Sequence, residues 1–361
     1  MKTVTSNAHV FDASNLFLAL GFFLCFFFCN NVYAEENSNI EALHQLVFDL
    51  EQRIDQRLNL NGYFDFEYLA DDKQGGTPSS FRQHHISLFV SQTIDQWRIF
   101  SELEFEDGVA ITGAGTTVSG SGTIKMEHGW VEYMLHQGLS VRGGKMLLPQ
   151  YWNVNHYPNT VLSTNRPLMV RNVFPADTTG ISLQWSRHVS GFWSTLDLYV
   201  GNGESINSSK VDDNENKAVG GRLNLHLDGD FSAIQRFDIG LSYHNEKPAS
   251  SSQDIAISGF EAQINSGDFE LLMEWARRER NSDNKMGYYL QPSIKFAPAL
   301  RGFYRFDYFN DNSSKNIRNT LGLNYRPVPP VSLKLEFNQN HMSPTVTDSY
   351  YGIATSVAVF F

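Results

Sequence analysis

The sequence predicts an all-β chain, a transmembrane antiparallel β-barrel of about sixteen strands with one short helix before it. Three observations carry this. From Leu58 onward apolar and polar residues alternate in segment after segment, the period of a strand with one apolar and one wet face. The connections between segments alternate strictly, long then short, as they do where a barrel has extended loops at one end and tight turns at the other. The chain also ends on such a strand, Ser349 to Phe361. There Tyr351, Ile353, Val357, Val359 and Phe361 share one face, and Gly352, Ala354, Ser356 and Ala358 the other. A naked terminal strand leaves an edge that invites aggregation. In a closed barrel the last strand pairs with the first and no edge remains.

Taken in order, residues 1–34 read as a signal peptide. Leu16 to Cys29 is an apolar run too short for a membrane helix, and Val32-Tyr33-Ala34 offers small residues at cleavage spacing before Glu35-Glu36. Phe26-Phe27-Phe28 before Cys29 lacks the small residues of a lipid-attachment site. Both cysteines, Cys25 and Cys29, fall in this segment. The mature chain is therefore expected to carry no disulfide framework, thiolate metal site or cysteine nucleophile. Its net charge of −11 argues against nucleic acid as a partner. No later stretch is long and apolar enough for a transmembrane helix, so any crossing must use a closed barrel.

Residues 35–57 form the one helical stretch. Ile40, Leu43, Val47, Leu50 and Ile54 step by three and four, the seam of a coiled coil. It is too short to be stable alone, and either zips up within an oligomer or lies under the barrel as a single amphipathic helix. From there residues 58–361 form the barrel. Its strands are expected at 58–68, 81–94, 97–107, 123–136, 139–148, 178–188, 192–201, 217–228, 234–246, 254–264, 267–280, 285–296, 299–310, 316–326, 331–340 and 349–361. The even number places both termini on the periplasmic side, where the helical segment must lie.

Strand parity separates lipid-facing from lumen-facing residues. Leu223, Leu225 and Leu227, or Phe237, Ile239 and Leu241, make apolar stripes; Arg222, Asn224, His226, Arg236 and Asp238 stand on the opposite face. On the inner wall the first strands contribute Asp65, Glu67, Glu102, Glu104, Glu106 and Glu132, with Arg98 near the periplasmic end. The later ones contribute Arg278, Lys295, Arg301, Arg305, Arg318, Arg326 and Lys334, interleaved with Glu274, Asp307 and Glu336. Opposed charge across a constriction would create a transverse field. The loop at 149–177 is the longest and unusually apolar, with Tyr151, Trp152, Leu162, Leu168, Met169, Val170 and Phe174. A loop of this composition needs a surface to pack on. Folding into the barrel as the third external loop would provide one and bring Arg166 and Arg171 to the narrowest part. The alternative is an external cap or a subunit contact.

Val141-Arg142-Gly143-Gly144-Lys145, Pro149, Asn165-Arg166-Pro167-Leu168, Arg171, Pro175, Asp177 and Gly180 together resemble the corresponding stretch of the phosphate-selective porin O/P family. The Gly62-Tyr63-Phe64-Asp65 start of the first strand is similar too. The resemblance implies a trimeric sixteen-stranded channel of the bacterial outer membrane; no cofactor or metal is expected. Its third loop is folded in, and Arg142, Lys145, Arg166 and Arg171 line the pore. The partners it implies are outer-membrane lipid and small hydrophilic solutes, anions among them. The acidic first strands, with Asp71, Asp72, Asp212 and Asp213 in the loops, depart from an anion funnel. A non-conducting barrel with adhesive or assembly loops is the competing reading, and a barrel hydrolase the third. Enzyme motifs point to no catalytic site: no G-x-S-x-G run is present, and His84-His85, adjacent on a strand, are expected to face opposite sides and so not to share a metal.

Overall fold

A computed structural model describes residues 58–73, 79–107, 110–111, 117–119, 122–170, 172–189, 191–203, 215–231, 233–248, 254–280, 283–343 and 349–361. The expected signal peptide, the helical segment at 35–57 and Arg171 lie outside the described residues. The strands in chain order begin with β1 (Asn59–Asp71), β2 (Ser80–Ile94), β3 (Trp97–Glu106), a small hairpin of β4 (Ala110–Ile111) and β5 (Thr117–Ser119), β6 (Thr123–His136) and β7 (Leu139–Leu147). A five-residue helix, α1 (Tyr151–Asn155), lies in the long loop that follows. Then come β8 (Asp177–Val189), β9 (Phe192–Asn202), β10 (Lys217–Phe231), β11 (Ile234–Glu246), β12 (Ile255–Ser266) and β13 (Phe269–Glu279). The barrel is completed by β14 (Lys285–Ala297), β15 (Leu300–Asn310), β16 (Lys315–Tyr325), β17 (Val331–Ser343) and β18 (Tyr350–Phe360).

All but β4 and β5 join one closed antiparallel barrel of sixteen strands. The expected segments are thus strands, displaced by a few residues at most. Closure is made by β1 and β18, in register from Tyr63 against Phe360 to Asp71 against Gly352. Two backbone hydrogen bonds complete it, Gly62 N to Phe361 O (2.9 Å) and Phe361 N to Gly62 O (3.0 Å). The short turns cluster at one end and the long loops at the other, as read from the sequence. Turn chemistry sets the tight ones: Asp95 at φ 53° and Gly138 at φ 76° adopt the left-handed conformation that a two-residue hairpin requires.

The outer face is the apolar one. Leu321, Phe296 and Phe361 keep 64%, 63% and 60% of their surface exposed, an arrangement that suits a hydrocarbon solvent rather than water. Aromatic residues Trp97, Phe192, Phe269, Phe296 and Tyr325 gather near the short turns, and Phe81, Tyr288 and Tyr351 near the long loops. Two such belts flanking a band of Leu, Ile and Val are what membrane interfaces select. The inner face holds the buried polar groups, Asp65, Glu102, Glu104, Arg305, Asp307 and Glu336 among them.

One strand departs from strict alternation at a chemically important place. Asp65 pairs with His85 but Phe66 pairs with Gln83, so His84 is an extra residue in β2. A bulge of this kind resets parity. The two histidines therefore turn to the same side, with ring centroids 3.5 Å apart, contrary to the expectation that they face opposite sides.

Candidate functional site

The loop at 149–177 folds into the barrel and packs along its inner wall. Asn153 draws its two ends together: Nδ2 lies 3.3 Å from each of the carbonyl oxygens of Leu148, Pro175 and Ala176. From α1 the loop buries Trp152, Met169, Val173 and Phe174 against Ile255 and Ile257 of β12, Leu272 and Ala276 of β13, Tyr289 of β14 and Phe309 of β15. Each of these loop side chains contributes about 1.5–3 kcal/mol by leaving water. That is why an apolar loop goes into a lumen whose other walls are polar. Two glycines make room for it. A Cβ on Gly287 would stand 2.6 Å from Met169 Cβ, and one on Gly259 would stand 3.1 Å from the Phe174 ring.

The opposite edge of the loop is held by charge. Arg305 donates from Nη1 to Ser163 Oγ (2.6 Å) and from Nη2 to Asn165 O (2.9 Å), while its Nε pairs with Asp307 at 2.9 Å. Asp307 accepts in turn from Leu168 N at 3.2 Å. Arg318 donates to the Arg166 carbonyl, Lys334 Nζ to Ser163 O (3.1 Å) and Asn324 Nδ2 to Leu162 O (3.2 Å). Glu336 accepts from Thr164 N and, at 2.9 Å, from Asn165 Nδ2. Every one of these cations stands opposite a backbone carbonyl or a carboxylate, and charge-assisted bonds of this type are the strong ones.

At its tip the loop reaches β1, β2, β3 and β6. Tyr157 packs against Tyr63 (6.0 Å between ring centroids) and Phe89 (5.5 Å), and donates to Glu102 Oε2 at 3.3 Å. Burial beside this carboxylate raises the Tyr157 phenol, which stays protonated. Next to it, burial pushes His156 down to about 4. Its Nδ1 donates to Asn153 O (2.7 Å), and its Nε2 has no hydrogen-bond partner, the arrangement of a neutral imidazole.

The residues singled out from the sequence are distributed unevenly. Glu102, Glu104 and Glu132 face inward but are already partnered, by His128 at 3.0 Å, Lys125 at 2.8 Å and Arg142 at 3.0 Å respectively. Arg142 faces the lumen, its guanidinium carbon 4.0 Å from the Trp130 ring centroid. Arg301 lies in a cavity of about 380 Å³ between the loop and the wall near the short turns, within 3.4 Å of Glu270. Arg166 lies part-buried in the folded loop. Arg305 and Arg318 stand at the narrowing, but beneath the loop as its anchors; Arg305 is fully buried. Lys145 departs further. It pairs with Thr179 two positions from Ile181, on the outer face, and its Nζ donates to Met126 O at 2.7 Å. Arg142 and Lys145 are an odd number of residues apart on one strand, so alternation sends them to opposite sides.

The charge opposition expected across the lumen is largely spent within each wall. The wall of β7 to β11, with Arg142, Gln184, Asp197, Arg222, Asn224 and Asp238 on its inner face, takes no part in the loop contacts described above. Arg98 and Arg236 retain 46% and 47% of their side-chain surface. Arg222 pairs with Glu261 (Nε to Oε1, 2.7 Å), Arg236 with Asp238, and Arg98 with Glu132 at 3.4 Å. Asp197 was not marked on the sequence, although its inward parity on β9 is visible there.

No family model matches this chain, and no curated protein does. Solved structures do. The anion-selective porin from Comamonas acidovorans superposes with a TM-score of 0.62 at 15% identity, covering 84% of this chain and 99% of that one. OmpF of Salmonella typhi, in complex with daunomycin, gives 0.57 at 11%, covering 86% and 99%. The outer membrane channel DcaP of Acinetobacter baumannii gives 0.54 at 10%, covering 84% and 97%. The chain has the sixteen-stranded fold of bacterial outer-membrane porins.

Proposed function

We propose that this chain is a porin of the bacterial outer membrane, a passive channel for small hydrophilic solutes and ions, working as a homotrimer without cofactor or catalytic step. The observation that carries this is the folded loop. It is anchored to β12–β18 by an apolar patch and buried charge, while the polar inner wall of β7–β11 takes no part in that anchoring. A barrel used only as a membrane anchor has no need of a built constriction. The long loops then face outward, and both termini the periplasm. The motif run from Arg142 to Gly180 supports kinship with the phosphate-selective O/P porins. Phosphate capture is less well supported, because Arg98, Arg142, Arg222 and Arg236 each stand against a carboxylate. Such paired charges favour weak discrimination between anions and cations.

Planar-bilayer recording of the refolded mature chain in a KCl gradient tests this reading. The expected result is stepwise conductance in groups of three with a small reversal potential. A folded barrel that passes no current would overturn it and leave the non-conducting alternative, with loops that bind a partner.

A further inference from the structure

The bulge at His84 assembles a side-chain cluster that the loop and the constriction do not use. Asp65 of β1 and His84 and His85 of β2 converge on one point of the inner wall, with their ligand-capable atoms all within 4.8 Å of one another. Asp65 Oδ2 lies 3.3 Å from His84 Nδ1 and 3.5 Å from His85 Nδ1. Those are edge lengths of a tetrahedron around an ion whose bonds to nitrogen and oxygen are about 2.0–2.2 Å, for which the edges come to about 3.4 Å. Glu67 Oε1, 2.9 Å from His84 Nδ1, is hydrogen-bonded to that histidine and stands outside the three-residue cluster.

A second observation shows that the protein alone leaves this cluster unsatisfied. His85 is only 3% exposed, yet neither of its ring nitrogens makes a hydrogen bond, and Asp65 Oδ1 is also buried without one. Buried polar atoms of this kind are uncommon and call for a reason. On its far side His85 Nε2 faces Glu106 Oε1 at 3.3 Å and Glu104 Oε2 at 3.9 Å. Metal-binding imidazoles commonly have a carboxylate at the other ring nitrogen, which fixes the tautomer and raises basicity at the ligating one. Lys125 holds both carboxylates in place, at 2.8 Å from Glu104 and 3.0 Å from Glu106.

We propose that His84 Nδ1, His85 Nδ1 and Asp65 bind one divalent transition-metal ion of the zinc type inside the barrel, with water in the fourth position. Two imidazoles and a carboxylate favour borderline ions such as Zn²⁺ over Ca²⁺ or Mg²⁺, which take oxygen ligands. The site lies beside the tip of the constricting loop, because Tyr63 packs against His85 on one side and Tyr157 on the other. A bound ion would add two positive charges to the acidic wall of β1–β3 and tie β1 to β2.

The test is calorimetric titration of Zn²⁺ into the refolded, detergent-solubilised chain, with His84→Ala, His85→Ala and Asp65→Asn alongside. His188→Ala, exposed near the end of β8, is the control. Folding of each variant is checked by its heat-modifiable migration, so that loss of binding is read only from closed barrels. One Zn²⁺ per chain, weakened 10-fold or more by each ligand substitution and not by His188→Ala, is the expected result. Equal Zn²⁺ binding by wild type and His85→Ala, or no binding by the folded wild type, overturns the site and leaves a histidine–carboxylate network. Because binding rather than conduction is read, the result is independent of whether the barrel conducts.

Discussion

Arg305 and Asp307 are two residues apart on β15 and pair at 2.9 Å with neither side chain exposed. The same guanidinium holds Ser163 and Asn165 of the loop, and the same carboxylate holds the Leu168 amide. A single ion pair therefore fastens both the wall and what narrows the lumen.

Replacing Arg305 with Ala leaves Asp307 buried with only Arg318, 3.3 Å away, to balance it. Removing one partner of a buried pair costs about 3–5 kcal/mol, and here the loss falls first on loop docking. Single-channel conductance should rise, and protease should cut within 160–170 of the folded variant faster than of wild type. Unchanged conductance and cleavage would mean that the apolar patch alone holds the loop.

Steric displacement should give a similar result without altering charge. Gly287→Ala places a Cβ 2.6 Å from Met169 Cβ and 3.1 Å from Tyr308 O. Neither can yield cheaply, and overpacking of this kind costs about 1–3 kcal/mol. The expected readout is higher conductance with an unaltered reversal potential. A shifted reversal potential would show that the loop's position, and not only its charge, sets selectivity.

Acid should loosen the loop as well. His156 is held down to about 4 by burial, with Arg166 acting in the same direction and Glu102 and Glu127 opposing it. An ordinary histidine titrates near 6.5, so between about pH 6.5 and pH 4 the undocked loop binds the proton more readily than the docked one. Docking is thus fully favoured above that window and weakens as pH falls through it. Open-state current should increase on acidification from pH 7 to 4.5, and His156→Gln should flatten that dependence.

Gly62 tests ring closure. A side chain there would meet Ser87 O at 2.3 Å and the Phe361 ring at 2.8 Å. Gly62→Val is expected to lower the refolding yield sharply, measured as the heat-modifiable fraction on gels. An equivalent substitution at Gly143, which meets nothing within 4 Å, should not.

The strands and the alternation of turns and loops were legible because period 2 is imposed by solvent on both faces of every strand. The loop's need for a surface was legible too, from Trp152, Met169 and Phe174, but composition alone left an external cap or a subunit contact open beside the lumen. The site itself was less so. Parity placed Arg305 and Asp307 on the inner wall, but nothing in the sequence tells that a loop some 140 residues earlier covers them. Bulges defeat parity outright, which is why His84 and His85 were assigned to opposite faces. Lys145 shows the converse, since motif resemblance placed it in the lumen while simple counting from Arg142 puts it outside.

The ring has a further property that concerns time rather than geometry. Nearly every strand pairs with its neighbour in sequence, and the β3–β6 pairing skips only the small hairpin, so the sheet can grow by local steps at little entropic cost. The pairing of β1 with β18 is different, because Tyr63 must wait for Phe360. Until that single latch engages, the nascent sheet presents two open edges. Those edges would seal against a second unfinished copy as readily as against each other. The speed of one terminal pairing event, and not the strength of the finished barrel, would then decide how much of the protein reaches its final form.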